Sequence, residues 1–134
     1  MTCVLLIVED QPIDLRTAKA TALLSGFTHI ECTASPSDAL KLLTKQVYDG
    51  TTLPDAILLD LVLGMDSGYE VLRFRYSNSE LRKIPVLVWT GLTLETRHIC
   101  ELFKANLFLQ KGEGAKALRE SLDELRSLCA PEIE

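Results

Sequence analysis

The sequence lacks an excess of basic residues, a long apolar run and any low-complexity tract. It has 134 residues and a formal net charge of −5. An acidic chain of this size is not expected to bind nucleic acid or an anionic membrane through its overall field. The first apolar run follows no basic region and ends early, at Glu9 and Asp10, so we expect neither a signal peptide nor a membrane span. The length favours a single domain over residues 1–134.

Cysteines are few and widely spaced. The four are Cys3, Cys32, Cys100 and Cys129, and no two of them form a Cys-x-x-Cys pair. Each lies in an apolar segment, which favours buried free thiols over disulfides or a zinc site. Free thiols are typical of a reducing compartment, so we expect a cytoplasmic protein.

The sequence does contain short apolar runs, each followed by a helical pattern. Five strands are expected, near residues 3–8, 28–33, 56–59, 85–90 and 106–110. Three of these runs are continuous, as in strands that are buried on both faces of a parallel sheet. Five helical patterns begin near residues 12, 35, 67, 94 and 115. This alternation predicts an α/β fold, a doubly wound five-stranded parallel sheet with helices on both faces.

Polar residues follow four of the runs. Glu9 and Asp10 follow the first run, Asp60 the third, Thr90 the fourth and Lys111 the fifth. One carboxylate at a strand end is ordinarily a cap for the next turn. The carboxyl ends of parallel strands share one edge, however, so all five side chains are expected to converge there. Together they form a set suited to phosphoryl transfer.

Three neighbouring carboxylates repel one another and favour a hard divalent cation, Mg²⁺ or in its place Mn²⁺. Asp10 is expected to bind the metal directly and Glu9 through water. Asp60 would share one oxygen with the metal and use the other as a nucleophile on a phosphoryl donor. Lys111 and Thr90 would then stabilise the phosphoryl oxygens.

Four motifs at these strand ends resemble the receiver domain of two-component response regulators. They are Val-Glu-Asp at 8–10, Leu-Leu-Asp-Leu at 58–61, Trp-Thr-Gly at 89–91 and Leu-Gln-Lys at 109–111. The resemblance covers essentially the whole chain and implies a stand-alone receiver with the flavodoxin/CheY-like fold, (βα)5, and strand order 2-1-3-4-5. It implies metal-site acids at Glu9 and Asp10, a phosphoacceptor at Asp60, a switch hydroxyl at Thr90 and a phosphate-pairing lysine at Lys111.

The resemblance implies two further site residues and the readout of the switch. The main-chain carbonyl of Val62 would join the metal ligands, and Phe108 would be the switch aromatic, with a plain core residue as the alternative. Phosphorylation would draw in Thr90, and Phe108 would turn inward. The face of the fourth helix, fifth strand and last helix, called the signalling face below, would then change shape.

Several charged residues are assigned from their positions alone. Arg97, His98, Glu101 and Lys104 are candidates for the signalling face, with a solvated helix face as the alternative. The basic group of Arg73, Arg75, Arg82 and Lys83 is expected to be solvated surface. The expected partners are a sensor histidine kinase or phosphotransfer protein, a downstream protein target, and a second copy of the chain in a homodimer through the signalling face.

Gly112 is one departure from the family pattern, and the apolar residues Val62 and Leu92 bear on the lifetime of the phosphorylated state. Gly112 follows Lys111 where the family usually has a proline after a cis peptide. A cis bond without proline costs roughly 2.5–4 kcal/mol. Either the bond is cis at that cost, or it is trans and Lys111 is placed differently. Val62 and Leu92 are apolar, although by the family's geometry they flank the path of the hydrolytic water. We therefore expect slow self-dephosphorylation.

Three other classes are possible for such a chain. A flavodoxin-type cofactor binder needs a phosphate cradle after its first strand, where Glu9 and Asp10 would repel phosphate. A haloacid-dehalogenase-like phosphatase needs a second Asp two residues after its nucleophile, where Val62 stands. A pseudo-receiver, which binds proteins without being phosphorylated, is the main alternative. We expect no enzyme activity beyond the chain's own aspartyl phosphorylation and dephosphorylation.

Overall fold

A computed structural model describes residues 2–63, 66–91 and 94–129, which form one parallel sheet flanked by helices. The sheet strands are β1 (Val4–Val8), β2 (His29–Thr33), β3 (Ala56–Leu59), β4 (Val86–Thr90) and β5 (Leu107–Gln110). The helices are α1 (Pro12–Leu24), α2 (Pro36–Asp49), α3 (Tyr69–Ser77), α4 (Leu94–Leu102) and α5 (Ala115–Leu128). A 3-10 turn spans Leu81–Lys83, and Val62–Leu63 pairs antiparallel with Asp66–Ser67.

The strand order is β2-β1-β3-β4-β5, and all four pairings are parallel. This confirms the predicted fold and the predicted order. Val8 is paired with Leu59, and Leu59 with Val88, so the central strands end level with one another. The residues that follow them therefore emerge together at the carboxyl edge of the sheet.

The sheet separates two apolar layers, as expected for helices on both faces. Leu58 faces the layer under α1 and α5, which also contains Phe27 and Leu122. Its neighbours Ile57 and Leu59 face the opposite layer, together with side chains of α2, α3 and α4. Because successive strand residues point to opposite faces, a continuous apolar run in β3 fills both layers.

The helix starts follow the local sequence signals. Helix α1 begins at Pro12, and the Ser35 hydroxyl caps α2 by accepting a hydrogen bond from the Asp38 amide at 3.1 Å. Helix α2 continues to Asp49, slightly beyond the predicted start of the loop at residue 48. It ends at Gly50, whose φ of 68° favours glycine. Within the described ranges, no helix combines the length and apolar character needed to cross a membrane.

Two burial predictions are wrong. Cys3, Cys100 and Cys129 are buried free thiols as predicted, but Cys32 is exposed, because β2 is an edge strand covered only in part. Arg75, predicted to be solvated, is only 2% exposed. It lies on the same face of α3 as buried Val71 and Leu72, one helical turn before it.

Candidate metal centre

Five predicted site residues meet at the carboxyl edge, because backbone hydrogen bonds extend the sheet just past the strand ends. The Glu9 amide donates to the Thr33 carbonyl at 3.0 Å, and the Asp60 amide donates to the Val8 carbonyl at 3.0 Å. On the other side, the Lys111 amide donates to the Thr90 carbonyl at 2.7 Å. The backbone at Glu9, Asp60 and Lys111 is thus held by the sheet itself.

Three carboxylates form a compact cluster at this edge. Glu9, Asp10 and Asp60 each offer one oxygen, and these three oxygens lie within 4.8 Å of one another. Glu9 is 2% exposed and Asp60 is 5% exposed, so water screens their repulsion poorly. Asp10 Oδ1 is buried and has no hydrogen-bond partner among the described residues. A hard divalent cation fits this set, because it would relieve the repulsion and give that oxygen a partner.

Lys111 is the cation that the structure places beside the cluster. Its ammonium nitrogen donates to Glu9 Oε1 at 2.6 Å, to Asp14 Oδ2 at 2.8 Å and to Asp60 Oδ2 at 2.9 Å. The same nitrogen lies 4.9 Å from the centre of the Trp89 ring, in a cation–π contact. An ammonium has three N–H donors, and here each has a carboxylate acceptor. Lys111 therefore offsets part of the negative charge of the site.

Lys111 and Glu9 have shifted pKa values. Burial disfavours the charged form of Lys111, but its hydrogen bonds to Asp14, Glu9 and Asp60 outweigh that cost and raise its pKa. Burial raises the pKa of Glu9, and the hydrogen bonds from Lys111 and from the Gln11 amide offset only part of the rise. Both Glu9 oxygens accept hydrogen bonds, which suits the predicted contact through water more than direct metal binding.

Thr90 and Phe108 lie on the last two strands of the sheet. Thr90 is fully buried, and its hydroxyl has no hydrogen-bond partner in the described part of the chain. That hydroxyl is available to a new acceptor. Phe108 is partly buried against the α4 side of the core, and the Arg97 guanidinium lies 5.7 Å from its ring centre. Phe108 is thus in contact with the predicted signalling face, and its role as a switch stays a prediction.

The bond between Lys111 and Gly112 is trans, and Lys111 contacts the acids. Every other peptide bond in the described ranges is also trans. Val62 begins the short antiparallel pair just after Asp60. Its side chain and the whole of Leu92 lie outside the described residues, so the carbonyl ligand and the slow dephosphorylation stay predictions.

Sequence reasoning missed two residues of the site. Asp14 lies in the first turn of α1, one turn beyond Asp10, and reaches Lys111 from the helix. Trp89 immediately precedes Thr90 and lies under the Lys111 ammonium. The predicted start of α1 at Pro12 was a signal that Asp14 lies near the site, because a helix that begins there places its first turn next to the carboxyl edge.

Two known proteins illustrate the relatives of this chain in sequence. No protein-family model matches the chain. The polar-differentiation response regulator DivK of Brucella ovis is 33% identical over 95 residues, which cover 71% of this chain and 72% of that protein. The response regulator Rcp1 of Synechocystis sp. is 31% identical over 127 residues, which cover 92% of this chain and 86% of that protein.

Solved structures share the architecture. A crystal structure of the phosphorylated cyanobacterial phytochrome response regulator RcpA has a TM-score of 0.80 and 25% identity, and covers 96% of this chain and 94% of that chain. The Mn²⁺-bound form of the response regulator Rcp1 has a TM-score of 0.75 and 27% identity, and covers 93% of this chain and 92% of that chain. Both similarities extend over nearly the whole of each chain.

Proposed function

Because the chain belongs to the response-regulator family of two-component signalling, with the fold of its receiver domains, we propose that Asp60 accepts a phosphoryl group in a Mg²⁺-dependent reaction. The observation that supports this most strongly is the buried cluster of Glu9, Asp10 and Asp60, with its oxygens within 4.8 Å and Lys111 beside them. A carboxylate nucleophile, a metal site and a fixed cation are the parts that such a transfer needs.

In the proposed transfer, an Asp60 carboxylate oxygen attacks the phosphorus of the donor. A new bond forms between that oxygen and phosphorus, and the bond from phosphorus to the donor's leaving group breaks. Lys111 would exchange its contact with Asp60 Oδ2 for one with a phosphoryl oxygen, since it lies 2.9 Å from the carboxylate. The Thr90 hydroxyl, which has no partner among the described residues, would donate to a second phosphoryl oxygen.

The proposed metal ligands are Asp10, Asp60, Glu9 through water and the Val62 carbonyl. A bound Mg²⁺ would supply positive charge beside the transferred group and lower the repulsion on its approach. Mn²⁺ should substitute, because both ions prefer oxygen ligands in octahedral geometry. The related Rcp1 has been crystallised in an Mn²⁺-bound form, which supports a divalent cation at this edge.

The proposed partners follow from the family. A sensor histidine kinase or a phosphotransfer protein would supply the phosphoryl group, and a downstream protein would read the face formed by α4, β5 and α5. A homodimer through that face is the alternative readout. We further propose a cytoplasmic location, which the four free thiols support. The chain would catalyse only its own phosphorylation and dephosphorylation.

The test is intact mass after incubation with acetyl phosphate, with and without Mg²⁺. The wild type should gain one phosphoryl group only when Mg²⁺ is present, and Asp60→Asn should gain none. Asp55→Asn is the matched control, because it makes the same substitution just before the same strand and should be labelled like the wild type. If the wild type shows neither an adduct nor Mg²⁺ binding, the proposal is wrong and the chain is a pseudo-receiver.

A further inference from the structure

The backbone after Lys111 gives its side chain little support. Gly112 and Gly114 have φ values of 97° and 99°, and the segment 112–116 is exposed. A lysine side chain is long and has several rotatable bonds. The position of its ammonium must therefore depend on the groups that it contacts.

Those contacts differ in what would happen to them during phosphoryl transfer. Glu9 and Asp60 belong to the three-acid cluster, and their bonds to Lys111 must change when a cation and a phosphoryl group arrive. Asp14 lies outside that cluster, on α1, with its Oδ2 at 2.8 Å from the ammonium. The Trp89 ring, at 4.9 Å, is likewise independent of the cluster. These two contacts can persist while the others exchange.

We propose that Asp14 is a positioning residue, which anchors the Lys111 ammonium from helix α1 and thereby directs its other donors at the phosphoryl group on Asp60. This inference rests on the proposed function. Asp14 is 34% exposed, so solvent weakens its through-space charge, and its hydrogen bond is what places the ammonium. An amide oxygen at the same position can accept that bond, whereas a methyl group cannot.

The opposing possibility is that Asp14 acts only through its charge. Asp14 would then repel an anionic phosphodonor, and removal of the carboxylate would speed phosphorylation equally in Asp14→Ala and Asp14→Asn. A positioning role makes the two variants differ. Asp14→Ala should slow phosphorylation, and Asp14→Asn should restore most of the rate.

The first measurement is the rate of Asp60 labelling by acetyl phosphate at saturating Mg²⁺. We expect Asp14→Ala to be slower by about fivefold or more, and Asp14→Asn to lie within about twofold of the wild type. Asp38→Ala is the matched control, since Asp38 is also an acid in the first turn of a helix and is exposed. It should not change the rate.

The second measurement is the fluorescence of Trp89, the single tryptophan of the chain. Without phosphodonor, Asp14→Ala should change its emission because the ammonium leaves the ring, and Asp14→Asn should not. If the wild type is labelled, equal rates for Asp14→Ala and Asp14→Asn overturn the inference. If the wild type is not labelled, the proposed function fails, and unchanged emission in Asp14→Ala then separately overturns the anchoring of Lys111.

Discussion

A partly buried lysine and a buried arginine lie at opposite edges of the same sheet, and their partners are of different kinds. Lys111, at the carboxyl edge, donates to three side-chain carboxylates. Arg75 lies at the amino edge, where β4 and β5 begin. Its guanidinium donates to the carbonyls of Ile84, Arg82, Phe103 and Lys104, and to the side-chain oxygen of Asn106. None of these acceptors is a carboxylate.

The hydrogen-bond acceptors at the amino edge are fixed, whereas those at the carboxyl edge can change partners. Burial lowers the pKa of Arg75 to about 10, which leaves it protonated at neutral pH. Its acceptors are mostly backbone carbonyls, which do not titrate. They cannot be displaced unless α3, α4 or β5 moves. Two acceptors of Lys111, Glu9 and Asp60, belong instead to the carboxylate cluster that could hold a metal ion. The amino edge is therefore suited to stability and the carboxyl edge to a change of state.

The two carboxylates that flank β3 show the same contrast. Asp55, at the amino edge, accepts a hydrogen bond from the Val4 amide at 2.7 Å, and its own amide donates to the Val4 carbonyl at 2.8 Å. Asp60, at the carboxyl edge, contacts the Lys111 side chain. Asp55 thus joins two segments of backbone, whereas Asp60 contacts a side-chain ammonium, which can move without the backbone.

The largest expected effect is that of Arg75→Met. It leaves several buried oxygens without a donor, and we expect the free energy of unfolding to fall by about 3–5 kcal/mol. Urea denaturation measures the change. Arg73→Met on the same helix is the control, because the ion pair of Arg73 with Glu70 is exposed and should change stability by less than about 1 kcal/mol. A loss for Arg75→Met no larger than that of the control would break the comparison.

The next effect is the response of the carboxyl edge to Mg²⁺. An ion that binds only the folded state at a concentration of about 100 times its Kd stabilises it by about 2.7 kcal/mol. We expect the midpoint of thermal unfolding to rise with Mg²⁺ in the wild type and in Asp55→Asn, and to respond weakly in Asp10→Asn. Both variants remove one negative charge, so an equal loss of response would locate the ion elsewhere.

A smaller effect is expected from Asp55→Ala. It leaves the Val4 amide without its side-chain acceptor, and should lower the free energy of unfolding by about 1–2 kcal/mol without changing Asp60 labelling. Asp60→Asn should do the reverse, with labelling abolished and stability within about 1 kcal/mol of the wild type. Denaturation and intact mass measured on both variants test the pair. A labelling defect in Asp55→Ala would show that the two edges are coupled.

The smallest perturbation is alkylation of the free thiols in the native protein. Burial raises the pKa of Cys100 to about 11 and that of Cys129 to about 12, so neither forms much thiolate at pH 8. Exposed Cys32 should therefore react first, and peptide mapping after iodoacetamide should show one modified site. Cys129 donates to the Asp55 carbonyl at 3.5 Å, so early modification of Cys129 would mean that the amino edge opens readily.

The apolar runs and their terminal polar residues were sufficient to predict the fold and most of the site. A continuous apolar run such as β3 can be buried only between two layers, and parallel strands place Asp60, Thr90 and Lys111 at one edge. Short-range signals also placed helix starts, as at Ser35 and Pro12. These inferences depend on the spacing of apolar residues and on the order of strands and helices, and both can be read directly from a sequence.

Only the tertiary structure decided which long side chains turn inward and what they meet. Arg75 was predicted to be solvated, yet it is buried because the carbonyls before β4 and β5 converge around it. The contacts of Lys111 with Asp14 and Trp89 join α1, β4 and the residue after β5, which are far apart in sequence. Lysine and arginine have many rotamers, so their positions follow from the three-dimensional arrangement of acceptors and not from local pattern.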